Sequence, residues 1–151
     1  MAAKLVGAHR RYTGMTMGNT MNAYKAAQNY SSLKVHSGVE AASPHRLIQM
    51  LFEGVLERLA QAKGAMQQRQ VARKGELIGK AINIVGGLQG SLNDKEGGDL
   101  ATNLDSLYDY IIRRLMQANY ENDPVILDEC GRLLGELKSA WDAIGDQVGA
   151  L

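Results

Sequence analysis

This sequence predicts an all-α fold: an antiparallel four-helix bundle preceded by a short N-terminal helical segment. Three observations carry that reading. Apolar residues recur every three or four positions over four separate stretches of about 20 residues. The breaks between the stretches are short and rich in Pro, Gly, Asn and Asp. No segment alternates with period two for long enough to argue a strand. Composition agrees, with 5% aromatic residues and 2 Pro in 151 residues, a profile that favours helix over sheet. A chain of this length suits one domain and buries a core without a metal or disulfide staple.

Residues 1–20 differ from the rest. They hold three Gly and a Met-Thr-Met-Gly-Asn-Thr stretch with few periodic apolar positions, and read as a disordered leader or an upstream extension, with Met21 as a candidate natural start. Residues 21–42 form an N-terminal segment in which Tyr24, Ala27, Tyr30 and Leu33 share one helical stripe. A helix that short needs something to dock on. Residues 43–148 hold the bundle.

The first long helix has the clearest start: Ser43 as N-cap, then Pro44 at the first helical position, where a missing N–H costs nothing. Ile48, Leu51, Phe52, Val55, Leu59, Ala62 and Met66 line one face, widened by Leu47, Met50 and Leu56. Gln67-Gln68-Arg69-Gln70 ends or turns it. The second helix is expected from about Ala72 to Leu92, with Ile78, Ala81, Ile82, Val85, Leu88 and Leu92 on one face and Leu77 and Ile84 beside them. Its five glycines, from Gly75 to Gly90, weaken it and give a smooth surface that another helix can approach closely. Fraying after Gly86 is the equal alternative.

Asn93 to Gly98 reads as a turn, and Asp99 as the cap of a third helix that reaches about Asn119. Leu100, Leu104, Leu107, Tyr108, Ile111, Leu115 and Ala118 make its stripe, extended sideways by Ile112 and Met116. Asn122-Asp123-Pro124 then breaks the chain, with Asp123 capping a fourth helix. Leu127, Cys130, Leu133, Leu134, Leu137, Trp141, Ile144 and Val148 keep its period.

The formal net charge of +1 gives no electrostatic claim on nucleic acid or on an anionic membrane. No apolar run approaches the ~20 residues of a membrane span, and the N-terminus lacks the pattern of a secretory signal. One cysteine, Cys130, suits a reducing compartment, so a cytoplasmic location is expected. Catalytic chemistry is also missing. No Glu-x-x-His pair marks a di-iron bundle. His9, His36 and His45 have no helical metal spacing. Cys130 lies on an apolar stripe, and the Gly86–Gly90 run follows no strand and is closed by no Lys-Ser/Thr. The reading is no enzyme, no metal and no cofactor.

What the sequence has in surplus is apolar surface. A bundle burying one stripe per helix leaves Leu47, Met50, Leu77, Ile84, Ile112 and Met116 only partly covered, and an uncovered strip between helices is a groove for an amphipathic helix. Tyr110 is either an exposed contact or a cover for the core edge. Arg113 is placed to pair with Asp109, four residues away.

Four segments, in order, carry a family resemblance: Ser43-Pro44-His45-Arg46-Leu47-Ile48-Gln49-Met50-Leu51-Phe52-Glu53-Gly54, Lys80-Ala81-Ile82-Asn83-Ile84, Gly97-Gly98-Asp99-Leu100-Ala101-Thr102-Asn103-Leu104, and Leu107-Tyr108-Asp109-Tyr110-Ile111-Ile112-Arg113-Arg114-Leu115, with Ala118-Asn119 and Trp141 following. The chain resembles the flagellin-specific export chaperones, the FliS family, over about residues 21–147. The resemblance implies a cytosolic chaperone that binds the C-terminal helical region of flagellin and prevents premature polymerisation. It also implies delivery to the cytoplasmic domain of a membrane protein of the flagellar type III export gate, without membrane insertion. The expected flagellin-binding groove comprises Leu47, Met50, Leu51, Leu77, Ile84, Leu107, Tyr110, Ile112 and Met116. By the same resemblance the segment with Tyr24, Ala27, Tyr30 and Leu33 covers the site when flagellin is absent and contributes to docking at the gate. Tyr30 matches the aromatic position of that segment. A monomer or weak dimer is expected. The competing reading is a self-associating structural bundle whose apolar surplus forms a dimer seam.

Overall fold

The computed structural model describes residues 42–145. The expectations for residues 1–41 and for Val148 lie outside them. Four helices follow one another: α1 (Pro44–Gln67), α2 (Val71–Gly90), α3 (Asp94–Glu121) and α4 (Pro124–Asp142). Each packs on the next, and α4 closes back on α1, while the diagonal pairs touch at most marginally. The result is the all-α bundle expected from the periodicity.

The caps behave as the sequence foretells. Ser43 Oγ accepts from the Arg46 backbone N–H at 3.1 Å, and Asp123 Oδ1 accepts from Val125 N–H at 2.9 Å. Pro follows each cap at the first helical position. Between α1 and α2, Arg69 takes a left-handed φ of 60°, and its N–H returns to the Met66 carbonyl at 3.2 Å. The turn expected at 93–98 takes a different form. Residues 94–97 make one helical turn, then Gly98 leaves the helix at φ 53°, ψ −131°. A side chain is strained in that conformation and glycine is not. Gly98, not Asp99, is therefore the non-helical residue before the long run of α3, and that run continues to Glu121, two residues past the expected end.

α4 ends at Asp142, earlier than its apolar pattern implies. The Trp141 carbonyl, which would continue the helix, accepts instead from Ile144 N–H at 3.2 Å and from His45 Nε2 at 2.9 Å. A carbonyl only accepts, so Nε2 carries the proton. In return the Trp141 indole N–H donates to the His45 carbonyl at 3.0 Å, and the two rings stack 11° from parallel with centroids 5.0 Å apart. A side chain added at Gly145 would come within 3.3 Å of the His45 ring; glycine leaves room for the stack.

The core runs the length of the bundle. Trp141, Tyr108, Phe52, Ile48, Leu51, Leu77, Ile78, Leu88, Ile111, Leu115, Leu127 and Leu134 are its largest fully buried side chains. Burial pushes the Tyr108 hydroxyl far above its ordinary pKa, so it stays neutral. The close helix approach expected at the α2 glycines is absent at three of them. A methyl group at Gly75, Gly79 or Gly86 would meet nothing within 4 Å. The helix does persist to Gly90, because its opposite face, with Leu77, Ile78, Ala81, Val85 and Leu88, is buried.

Four substitutions test this account of stability. Trp141→Phe keeps a ring over His45 but loses the indole N–H bond, costing about 1 kcal/mol in urea unfolding. Gly98→Ala costs roughly 1–3 kcal/mol through backbone strain, whereas Gly86→Ala gains about 0.5–1 kcal/mol, its methyl entering open space in a helix. Arg114 and the Tyr110 hydroxyl hold the Glu129 carboxyl below its ordinary value of 4.5. That contribution is present above the ordinary value and is lost as pH falls through the lower, folded one. Glu129→Gln should therefore flatten the acid limb of stability against pH while leaving the neutral limb's slope unchanged.

Candidate functional site

The residues expected to form one groove separate into three places. Leu47, Met50, Leu51, Leu77 and Ile84 are buried and belong to one contiguous core cluster. The expectation that Leu47, Met50, Leu77 and Ile84 stand partly uncovered is thus corrected: the wide stripes of α1 and α2 are consumed inside the fold, where these two helices make the most extensive pair. Leu107 and Tyr110 are half-buried and pack against the core. Tyr110 lies toward α4, its hydroxyl donating to Glu129 at 2.9 Å. Of the two readings for Tyr110, this is the cover at the core edge. Ile112 and Met116 lie elsewhere, on the side of α3 that faces α2. Ile112 is half-buried, and Met116 is 55% exposed.

Helical spacing fixes the company Ile112 and Met116 keep. Asp105, Asp109, Ile112, Met116 and Tyr120 succeed one another every three or four residues on one flank of α3. Two contacts show that this flank borders α2. Gln89 Nε2 donates to Asp105 Oδ1 at 3.0 Å and to Asp109 Oδ1 at 2.8 Å. Lys74 Nζ donates to the Asn119 carbonyl at 2.9 Å and to the Asn122 side chain. Residue 74 thus sits near 119 and residue 89 near 105–109, so α2 and α3 run antiparallel. The lip that α2 presents between those contacts is Gly75, Gly79, Ile82 and Gly86. Three of these lack a side chain and face open space, and Ile82 is half-buried on the core. Ile112, Met116 and the 89%-exposed Tyr120 therefore border a smooth channel.

Two of the other outer seams are bridged. Across α1–α4, Lys63 pairs with Asp128 at 2.9 Å and Gln49 donates to Asp142 at 2.7 Å. A hollow there, lined by Leu56, Ala60, Leu127 and Gly131, is rimmed by the Lys63 pair. Across α3–α4, Arg114 Nε and Tyr110 both reach Glu129. The α2–α3 seam is crossed by polar contacts at its two ends and leaves apolar surface between.

Sequence reasoning missed Tyr120 because it closed α3 at Asn119. The spacing of four from Met116 was the available signal. It also expected Arg113 to pair with Asp109, but Asp109 accepts from Gln89, and among the described residues Arg113 makes no ion pair. Lys74 was overlooked altogether. Buried, it satisfies carbonyl groups at the C-terminal end of α3, where a cation is favoured.

Nothing in this surface is catalytic. Burial pushes the Cys130 thiol up to about 11, leaving it protonated and inert within the core. Among the described residues no group of three or more His, Cys, Asp or Glu is placed to hold a metal ion. No helix among them is long and apolar enough to cross a membrane. The arrangement suits adhesion, not catalysis.

Comparison with known proteins agrees. Residues 26–148 match the family described as flagellar protein FliS. The flagellar secretion chaperone FliSB of Pseudomonas aeruginosa is 54% identical over 82% of this chain and 98% of its own length. The flagellar secretion chaperones FliS of Vibrio cholerae and Salmonella typhimurium are 48% and 47% identical, over 78% and 79% of this chain and 86% and 89% of theirs. Those relatives are chaperones of flagellar secretion and not enzymes. On the span of the match and the level of identity, the chain belongs to the FliS family.

Proposed function

We propose that this chain is a cytoplasmic chaperone that binds the C-terminal helical region of flagellin, keeps it from polymerising early and helps deliver it to the export gate. Membership of a family of flagellar secretion chaperones supports the general role. One observation carries the finer reading: the apolar channel between α2 and α3, with Ile112, Met116 and Tyr120 on one bank and the glycine lip of α2 on the other. An amphipathic helix docks into such a channel through side chains at i, i+3 and i+4. The missing side chains of Gly75, Gly79 and Gly86 let its backbone come close. Met116 is unbranched and adapts to what it meets.

In this reading Leu47, Met50, Leu51, Leu77 and Ile84 support the channel from inside the bundle, and Leu107 and Tyr110 are available to a client that wraps beyond α3. A client disordered in solution loses entropy when it orders on the bundle, so it needs a long apolar track. The segment bearing Tyr24, Ala27, Tyr30 and Leu33 covers the binding surface in the absence of client and takes part in docking at the cytoplasmic domain of the gate.

Co-purification with flagellin, with and without residues 1–42, tests the role directly; no capture by either form would refute it. Substitutions test the site. Ile112→Asp and Met116→Asp should weaken flagellin capture at least tenfold with the helical circular dichroism preserved. Ile111→Asp, at a wholly buried position, should unfold the bundle, costing upwards of 3 kcal/mol. If Met116→Asp captures flagellin as well as the parent chain, the channel is not the site. A tight dimer indifferent to flagellin would favour the structural-bundle reading instead.

A further inference from the structure

The described residues hold three methionines, and the fold treats them differently. Met50 and Met66 lie in the core at 7% and 9% exposure, whereas Met116 is 55% exposed on α3. A thioether reacts with peroxide according to how freely the oxidant reaches the sulfur, and it needs no neighbouring base. The other sulfur among the described residues, that of Cys130, is buried and protonated, so the thiolate that peroxide attacks is absent. Met116 is therefore the side chain among them most open to a two-electron oxidant. Its position gives that chemistry a consequence. Ile112 stands four residues before it and Tyr120 four residues after it, on the same flank of α3. The sulfur thus sits midway along the apolar bank, across from the glycine lip of α2.

Building on the flagellin reading above, we propose that Met116 is an oxidative modification site through which peroxide weakens the chaperone's hold on its client. A lone pair of the thioether sulfur attacks one peroxide oxygen. An S–O bond forms as the O–O bond breaks, and the departing hydroxide takes up the proton and leaves as water. The sulfur loses two electrons and the peroxide gains them. The product, methionine sulfoxide, is polar and chiral. In the free protein its oxygen stays in water, because Met116 is more than half exposed, and the bundle keeps its fold. A client helix laid over it removes that water. The α2 lip returns no donor: Gly75, Gly79, Ile82 and Gly86 have no polar side chain, and their backbone N–H groups are engaged within the helix. The desolvated oxygen then opposes docking. A seated client covers the sulfur, so the reaction acts on the free chaperone. Methionine sulfoxide reductases, one for each sulfoxide epimer, restore the thioether.

The test treats the full chain alone with hydrogen peroxide, removes the oxidant and then adds flagellin. Peptide mass mapping should find sulfoxide at Met116 at a dose that leaves Met50 and Met66 about tenfold less modified, with circular dichroism unchanged. Flagellin affinity should fall about five- to tenfold, and the two reductases together should restore it. Met116→Leu keeps an apolar side chain of similar volume, and should bind flagellin equally before and after peroxide. Met116→Gln places a polar group there without oxidant, and should bind about as weakly as the oxidised parent. The leucine variant also separates Met116 from Met1, Met15, Met17 and Met21. If peroxide weakens that variant as much as the parent, the proposal is overturned. Complete sulfoxide at Met116 with unchanged affinity overturns it too. Both results leave flagellin binding by the untreated chain intact. If the untreated chain captures no flagellin in the co-purification, the proposed function fails first and this modification loses its role with it.

Discussion

Closure of the ring at α1–α4 is the constraint on which this bundle depends. The other three seams join helices adjacent in sequence, so short turns alone keep them close. The α1–α4 seam joins residues 96 apart, and its loop-closure entropy must be met by contacts. The reciprocal clasp of His45 and Trp141 meets it at one end of the bundle: two hydrogen bonds and a ring stack, all buried. The Gln49–Asp142 bond lies beside it, and Asp142 is in turn held by Lys138. At the other end the seam is joined by the Lys63–Asp128 pair, which is exposed and so contributes less. The clasp also sets the length of α4, since the carbonyl that would propagate the helix is occupied by an imidazole.

Once the ring is closed, the character of each outer seam follows from which side chains the helical period delivers to it. α3 makes this plain. Its inward positions, Leu104, Tyr108, Ile111, Leu115 and Ala118, are buried. One step around the cylinder toward α4 come Tyr110 and Arg114, which find Glu129 and seal that side with polar contacts. One step toward α2 come Ile112 and Met116, and α2 answers them with glycines. Polar partners on one flank and missing side chains on the other make one seam shut and one open. The kink at Gly98 and the buried Lys74 fix the two ends of α3, and so hold its open flank in register with α2.

The helices and their inward faces were legible because the determinants of both are local. Ser43-Pro44 and Asp123-Pro124 announce helix starts in two residues, and the apolar period announces which face turns inward. The site was legible only in part. A broad apolar stripe has two causes, deep burial or an uncovered strip, and the sequence does not distinguish them. Leu47, Met50, Leu77 and Ile84 proved to be the first kind, and Ile112 and Met116 fit the second. The difference lies in what the neighbouring helix presents, which is a property of pairs of segments about 40 residues apart. His45 shows the same limit. A lone histidine on the first turn of a helix says nothing of a tryptophan 96 residues on, and its ring matters because of that partner. Tyr120 was lost to a two-residue error in a helix end, the least certain feature of any pattern reading.

The glycines of α2 pose an energetic question that the packing of the bundle does not answer. Each interior glycine lowers helix stability by about 0.5–1 kcal/mol relative to alanine. Such a cost is ordinary where a neighbour packs against the bare backbone, because an added methyl would then collide. Gly75, Gly79 and Gly86 have no such neighbour among the described residues. They lie instead along the α2–α3 seam, on the flank that faces the exposed Met116 and Tyr120. On the proposed reading these three glycines trade helix stability for the close approach of a client, whereas Gly64 in α1 and Gly131 and Gly135 in α4 also face open space without lying on that flank. Alanine at those positions would make a stronger helix with a shallower channel.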